Sequence, residues 1–225
     1  MGAEMASSPI AGVLLAGGLS RRMGGGDKCL RPLGGRPILD HIVARARPQV
    51  GPLMLNANGD PSRFADVGLP VVADAIADHA GPLAGVLTGL EWAAVHAPEC
   101  AHVATFACDA PFFPRDLVAR LAEGLARDGA DLACAASGGR AHPVFGLWPV
   151  RLAGSLRRAM VEEGIRKVDM WTGRYALTVV EFPMVEAGPE PYDPFFNANA
   201  PDDLIRAEEI AAGRTSRGGP VHHEQ

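Results

Sequence analysis

The sequence predicts an α/β fold: a single, mostly parallel, Rossmann-like sheet flanked by helices. Two observations carry this. Short apolar runs recur at 10–16, 53–57, 69–73, 102–107 and 130–135. Each resembles a strand buried on both faces of a parallel sheet. Between them lie segments with helical spacing, and strand alternating with helix points to right-handed βαβ units.

The elements follow in order. The first run, IAGVLLA, is too short for a typical helix and stops at Gly17 and Gly18. In 37–46, Ile38, Ile42 and Val43 share one side of a helix. In 83–95, Leu83, Leu87, Leu90 and Ala94 form a stripe, and in 117–126 Leu117, Leu121 and Leu125 form another. The second half is less regular. Strands are expected at 144–147 and 177–180, and an amphipathic helix at 152–163. Residues 184–196 carry several Pro and Gly and read as a loop. A last helix is expected at 201–212, entered near Asn199 or Ala200. Asp202 and Asp203 fall in its first turn, where acids favour the helix dipole. The expected organisation is one domain over 9–212, with the polar, glycine-rich stretch 213–225 as a disordered tail.

Bulk properties narrow the function. The 225 residues are 48% hydrophobic and 21% charged, as in a folded soluble protein. A net charge of -5 argues against a nucleic-acid binder working through a basic surface. Cys29, Cys100, Cys108 and Cys134 form no CxxC pair and read as buried thiols in a reducing compartment. No signal-peptide pattern opens the chain, and the apolar runs fall far short of the roughly 20 residues a membrane helix needs. A cytoplasmic monomer is the expectation.

The strongest constellation is LAGGLSRRMGGGDK, residues 15–28. It follows a strand, and ligands bind at the carboxyl ends of strands in open α/β sheets. Gly17 and Gly18 let the backbone approach a ligand, and exposed amides there can bond phosphate oxygens. Arg21, Arg22 and Lys28 concentrate positive charge in an acidic chain. The loop is neither a Walker A loop nor a dinucleotide fingerprint, since the GK[ST] ending and the GxGxxG spacing are both missing. It is read as a nucleoside-triphosphate site, against the alternative of a solvated glycine loop. Asp109, in ACDAPF, also ends a strand; it can hold Mg²⁺ or cap the next helix. Asp74, in VVAD, precedes GPLAG and can bind base or ribose or serve as a turn acid. Asn56 and Asn58, in NAN, offer donor and acceptor to a base or simply favour a turn. His142, in AHPVFGLW, is open between a structural and a functional role. Asn197 and Asn199 either line an acceptor side or cap the last helix.

Together LAGGLSRRMGGGDK, LNAN, VVAD with GPLAG, CDAPF, HPVFGLW and NANAPDDL resemble the molybdenum cofactor guanylyltransferase family, over roughly residues 10–210. The resemblance implies a nucleotidyltransferase-type fold and transfer of GMP from GTP to molybdopterin, with release of pyrophosphate. It implies that Leu15, Ala16 and Gly17 hold guanine and ribose through their backbone. It places Lys28 on the phosphates with Arg22 as helper, Asn56 and Asp74 on the nucleotide, and Asp109 on nucleotide and Mg²⁺. Asn197 and Asn199 match the motif on the molybdopterin side; the family's usual threonine is Ala200 here. Gly18 gives AGG where the related cytidylyltransferases tend to have AAG, which favours GTP. Transient contact with molybdopterin-handling proteins and target molybdoenzymes is also implied. The chemistry expected is in-line attack of a phosphate on the α-phosphorus. Such a nucleophile is already ionised near neutral pH and strictly needs no general base. Catalysis by Arg22, Lys28 and Asp109 then amounts to positioning and charge stabilisation. The rivals are a CTP-dependent or sugar-phosphate nucleotidyltransferase and a GTP-binding adaptor that delivers the cofactor.

Overall fold

A computed structural model describes residues 9–16, 27–76, 81–186 and 190–212. A seven-stranded sheet forms its centre. The first strand, β1 (Ile10–Leu15), is buried along almost its whole length and pairs in parallel with β4 (Leu53–Asn56) and β6 (His102–Ala107). The short β5 (Val71–Val72) extends the sheet beyond β4. On the other side lie β8 (Arg140–Pro149), β7 (Leu132–Ser137) and β9 (Leu177–Phe182), giving the order β5-β4-β1-β6-β8-β7-β9. A two-stranded hairpin, β2 (Pro32–Leu33) with β3 (Arg36–Pro37), stands apart and is not signalled by any apolar run.

The expected α/β sheet is present, with one departure. β8 runs antiparallel to both its neighbours, β6 and β7. It is also ten residues long rather than the short apolar core at 144–147, because its first half, with exposed Arg140 and Ala141 followed by His142 and Pro143, carries no strand-like pattern. Its pairing with β7 slips between Cys134 and Ala135: Cys134 faces Gly146 while Ala135 faces His142. Three β8 residues are thereby bulged out, and a bulge re-aims the side chains beside it.

Helices cover the sheet. On one face are α1 (Ile38–Ala46) and α3 (Leu117–Asp128), whose inward residues join Phe106, Phe113 and Phe145 in one core. On the other are α2 (Pro82–His96), α4 (Ala153–Val161) and α5 (Val168–Thr172), packed with Val13, Met54, Trp148 and Trp171. The last helix, α6 (Pro201–Ala211), contacts the β2 strand and closes the chain's described part. The α2 stripe differs from its sequence reading at one end. Ala93 is fully buried in the core that also holds Ala97 and Cys100, and Ala94 is exposed. α2 also lies unusually close to the sheet. A Cβ on Gly85 would fall 2.5 Å from both Asn56 Oδ1 and Leu15 Cδ2, and one on Gly89 would strike Val13. Two bare backbone positions one turn apart thus let the helix N-terminus settle onto β1 and β4.

Candidate active site

The carboxyl ends of β1, β4 and β6 and the N-terminus of α2 open onto one cavity of about 490 Å³. Leu15, Ala16, Lys28, Asn56, Asp74, Asp109 and Asn197 all line it. Residues far apart in sequence meet here because parallel strands end on the same edge. Gly17, Gly18, Arg21 and Arg22 lie outside the described residues.

On the β4 side a polar clamp forms. Asn56, almost completely buried, donates from Nδ2 to Asp74 Oδ1 at 2.9 Å and to the Val72 carbonyl at 3.2 Å. Asn58 donates to Asp74 Oδ2 at 2.7 Å and accepts the Asp74 amide at 2.8 Å. The carboxylate is therefore fixed by two amides, with lone pairs remaining for a ligand. The next residue is tied down too, since the Ala75 amide donates to the Thr88 hydroxyl of α2 at 2.9 Å.

On the β6 side stands Asp109. Burial raises its carboxyl above the ordinary value, and the Lys28 ammonium and its own backbone amide offset part of that rise. No other described residue donates a hydrogen bond to this carboxylate. A half-desolvated carboxylate beside a cation is suited to share a hard metal ion with a phosphate. Among the described residues no three His, Cys, Asp or Glu side chains converge as a metal cage. Asp109 thus fits a metal whose remaining ligands come from a polyphosphate and water, as Mg²⁺ usually has. Asp27, next to Lys28, pairs with Arg63 at 2.5 Å and anchors this end of the loop.

The late segment closes the site. Lys28 Nζ donates to Asn199 Oδ1 at 3.0 Å, and the Ala198 amide donates to the Asp109 carbonyl at 2.7 Å. Asp203 accepts the amides of Asn199 and Ala200. It supplies one half of a capping box whose other half Ala200, lacking a hydroxyl, does not provide. Phe195 is buried against Phe145, Phe182 and the His142 ring, which pins the segment to β8 and β9.

Three side chains at this end escaped sequence reasoning. Arg140 lines the cavity from β8. Ser137 and Asp193 join His142 in a chain of short bonds. Only His142 had a local signal, its place before a proline.

Residues 12–175 match the model of the MobA-like NTP transferase domain. A molybdenum cofactor guanylyltransferase of Bradyrhizobium sp. (strain ORS 278) is 54% identical over 206 residues, covering 92% of this chain and 95% of that protein. One from Mesorhizobium japonicum is 50% identical over 207 residues, covering 92% and 98%. Among solved structures, molybdopterin-guanine dinucleotide biosynthesis protein A of Archaeoglobus fulgidus has a TM-score of 0.67 at 24% identity, covering 90% of this chain and 99% of that one. A Mycobacterium tuberculosis protein solved in complex with manganese has a TM-score of 0.63 at 20% identity, covering 89% and 98%. These two share the fold. On the extent of the domain match and the identity to its relatives, the chain belongs to the MobA-like NTP transferase family and is a nucleotidyltransferase.

Proposed function

We propose that this chain transfers GMP from GTP to the terminal phosphate of molybdopterin. An acceptor phosphate oxygen bonds to the α-phosphorus, the bond from that phosphorus to the bridging oxygen breaks, and pyrophosphate leaves. The observation that carries this reading is the meeting of Lys28, Asp109 and Asn197 on one cavity that also holds the Asn56–Asp74 clamp, with Asn199 bonded to Lys28. Similarity to proteins named molybdenum cofactor guanylyltransferase over nine-tenths of the chain supports the choice of base and acceptor.

Each residue has a stated task. Leu15, Ala16 and Gly17 hold guanosine through the backbone, with Gly18 leaving room for a purine. Asn56 and Asp74 bind the nucleoside, and Lys28 with Arg22 offsets charge on the departing pyrophosphate. Asp109 holds Mg²⁺, which when bound neutralises polyphosphate charge. Asn197 and Asn199 face the acceptor, and the bond from Lys28 to Asn199 couples the two halves of the site. The active unit is a cytoplasmic monomer over 9–212 that meets molybdopterin-handling proteins and target molybdoenzymes transiently.

The test is pyrophosphate release with GTP or CTP, each with and without molybdopterin. Release with GTP only when molybdopterin is added supports the reading. Preference for CTP overturns the base, and nucleotide binding without release overturns the transfer. Asp109→Ala and Lys28→Ala should each lower turnover by about 10²–10³, the usual effect of removing one charge-stabilising contact, while remaining folded.

A further inference from the structure

His142 sits where the cavity meets β8, and its hydrogen bonds determine its tautomer. Ser137 Oγ lies 2.7 Å from His142 Nε2 and 2.7 Å from Asp193 Oδ1. A carboxylate only accepts, so the single hydroxyl proton of Ser137 goes to Asp193. Ser137 must then accept from the ring, which places a proton on Nε2. In the neutral imidazole Nδ1 is left as a bare acceptor, and no described residue bonds it. Asp193 is itself fixed by the Phe195 amide at 2.8 Å, and the Phe195 ring packs against the imidazole with ring centres 4.7 Å apart and planes tilted by 30°. This is an oriented histidine whose Nδ1 has no partner among the described residues, in the lining of the cavity that also holds Lys28 and Arg140.

Charges of both signs surround it. Arg140 lies two residues away on the same strand and lines the same cavity. Asp193 stands 3.7 Å from Nε2 on the far side, and Glu181 of β9 adds further negative charge. A positive ring would thus be supported from behind by Asp193 and Glu181 and opposed by Arg140. Without a ligand, burial dominates and lowers the imidazole below its ordinary value, so the ring is neutral at pH 7.5.

We propose that His142 seats the phosphate monoester of the acceptor, sharing one proton with it through Nδ1, with Ser137 and Asp193 as positioning residues. The inference rests on the transfer reading above and assigns the nucleophilic phosphate to the β8 wall. A phosphate monoester has a second ionisation near pH 6, so above neutrality it arrives largely as the dianion. Its complex with a neutral His142 then takes up one proton from solvent, which sits between Nδ1 and a phosphate oxygen. That proton also orients the phosphate while another of its oxygens attacks.

The experiment follows the His142 ring resonances against pH in the full chain, with and without methyl phosphate as the probe. The ¹⁵N shifts should report the Nε2-protonated tautomer at pH 7.5. Saturating methyl phosphate should raise the ring's titration midpoint by one pH unit or more. An Nδ1-protonated ring, or an unmoved midpoint, overturns the proposal. His142→Gln supplies a second arm, because the Gln Nε2 group can still donate to Ser137 while the Nδ1 acceptor is gone. Its KM for molybdopterin should rise about tenfold to a hundredfold, the usual effect of losing a hydrogen bond to a charged group. Its GTP dissociation constant should stay within about twofold. The wild-type KM should climb with pH above 7.5 and that of the variant should not; equal slopes count against the proposal. If wild-type protein fails to transfer GMP at all, the transfer reading falls, and the ring titration still decides the phosphate subsite.

Discussion

Replacing Gly85 with alanine tests how the α2 N-terminus and the Asn56–Asp74 clamp depend on one another. The new Cβ would sit 2.5 Å from Asn56 Oδ1 and 2.5 Å from Leu15 Cδ2, both far inside contact distance. Neither neighbour can yield cheaply, because Asn56 is buried and held by Val72 and Asp74, and Leu15 belongs to the central strand. Overpacking of this kind costs about 1–3 kcal/mol. Loosening the Asn56 bonds adds about 1 kcal/mol, and relief of glycine from the helix interior returns about 1 kcal/mol. The net is about 1–3 kcal/mol of lost stability, a fall in midpoint of roughly 2–12 °C for a chain of this size. Gly89→Ala is the control. The three atoms nearest its Cβ all belong to Val13 in the core, none to the clamp. Thermal unfolding and GTP titration calorimetry should show both variants destabilised, with only Gly85→Ala binding nucleotide more weakly. Equal nucleotide affinity in two variants of equal stability would refute the coupling between helix approach and clamp.

Further outcomes follow from the same geometry. Asp109 is raised by burial above its ordinary 3.8. A raised acid contributes stability that is present below its unfolded value and lost as pH rises through the folded one. Asp109→Asn should therefore raise the melting midpoint of the metal-free protein at pH 7, a gain that fades as pH falls toward 3.8, while transfer is lost; a lowered midpoint at pH 7 would contradict the burial argument. Phe195→Ala removes a buried ring packed on Phe145, Phe182 and His142. Urea unfolding should show a loss of about 3–5 kcal/mol, and at low temperature the folded variant should keep GTP affinity while losing acceptor affinity.

The side of the cavity formed by β1, β4 and β6 was readable from the sequence, and the β8 side mostly was not. Asn56 ends a short apolar run, Asp74 and Asp109 lie just past one, and Lys28 ends the glycine loop that follows another; in a parallel sheet such runs end on one edge. Local pattern therefore became a shared location without knowledge of any contact. The β8 side obeys no such rule. β8 runs the other way, so its site residues Arg140 and His142 lie at the start of the strand, in a polar stretch with no strand signature. The bulge opposite Cys134 and Ala135 breaks the period of two by which their facing could have been inferred. Ser137 and Asp193 are 56 residues apart and meet only because Phe195 docks the late segment onto the sheet. Asn199 shows the limit most clearly. Its motif marked it as an acceptor-side residue or a helix cap, but its side chain holds Lys28, and its backbone amide is the group taken up by Asp203. An asparagine that holds Lys28 ties the late segment to the β1 side of the cavity, a long-range contact that no spacing along the chain encodes.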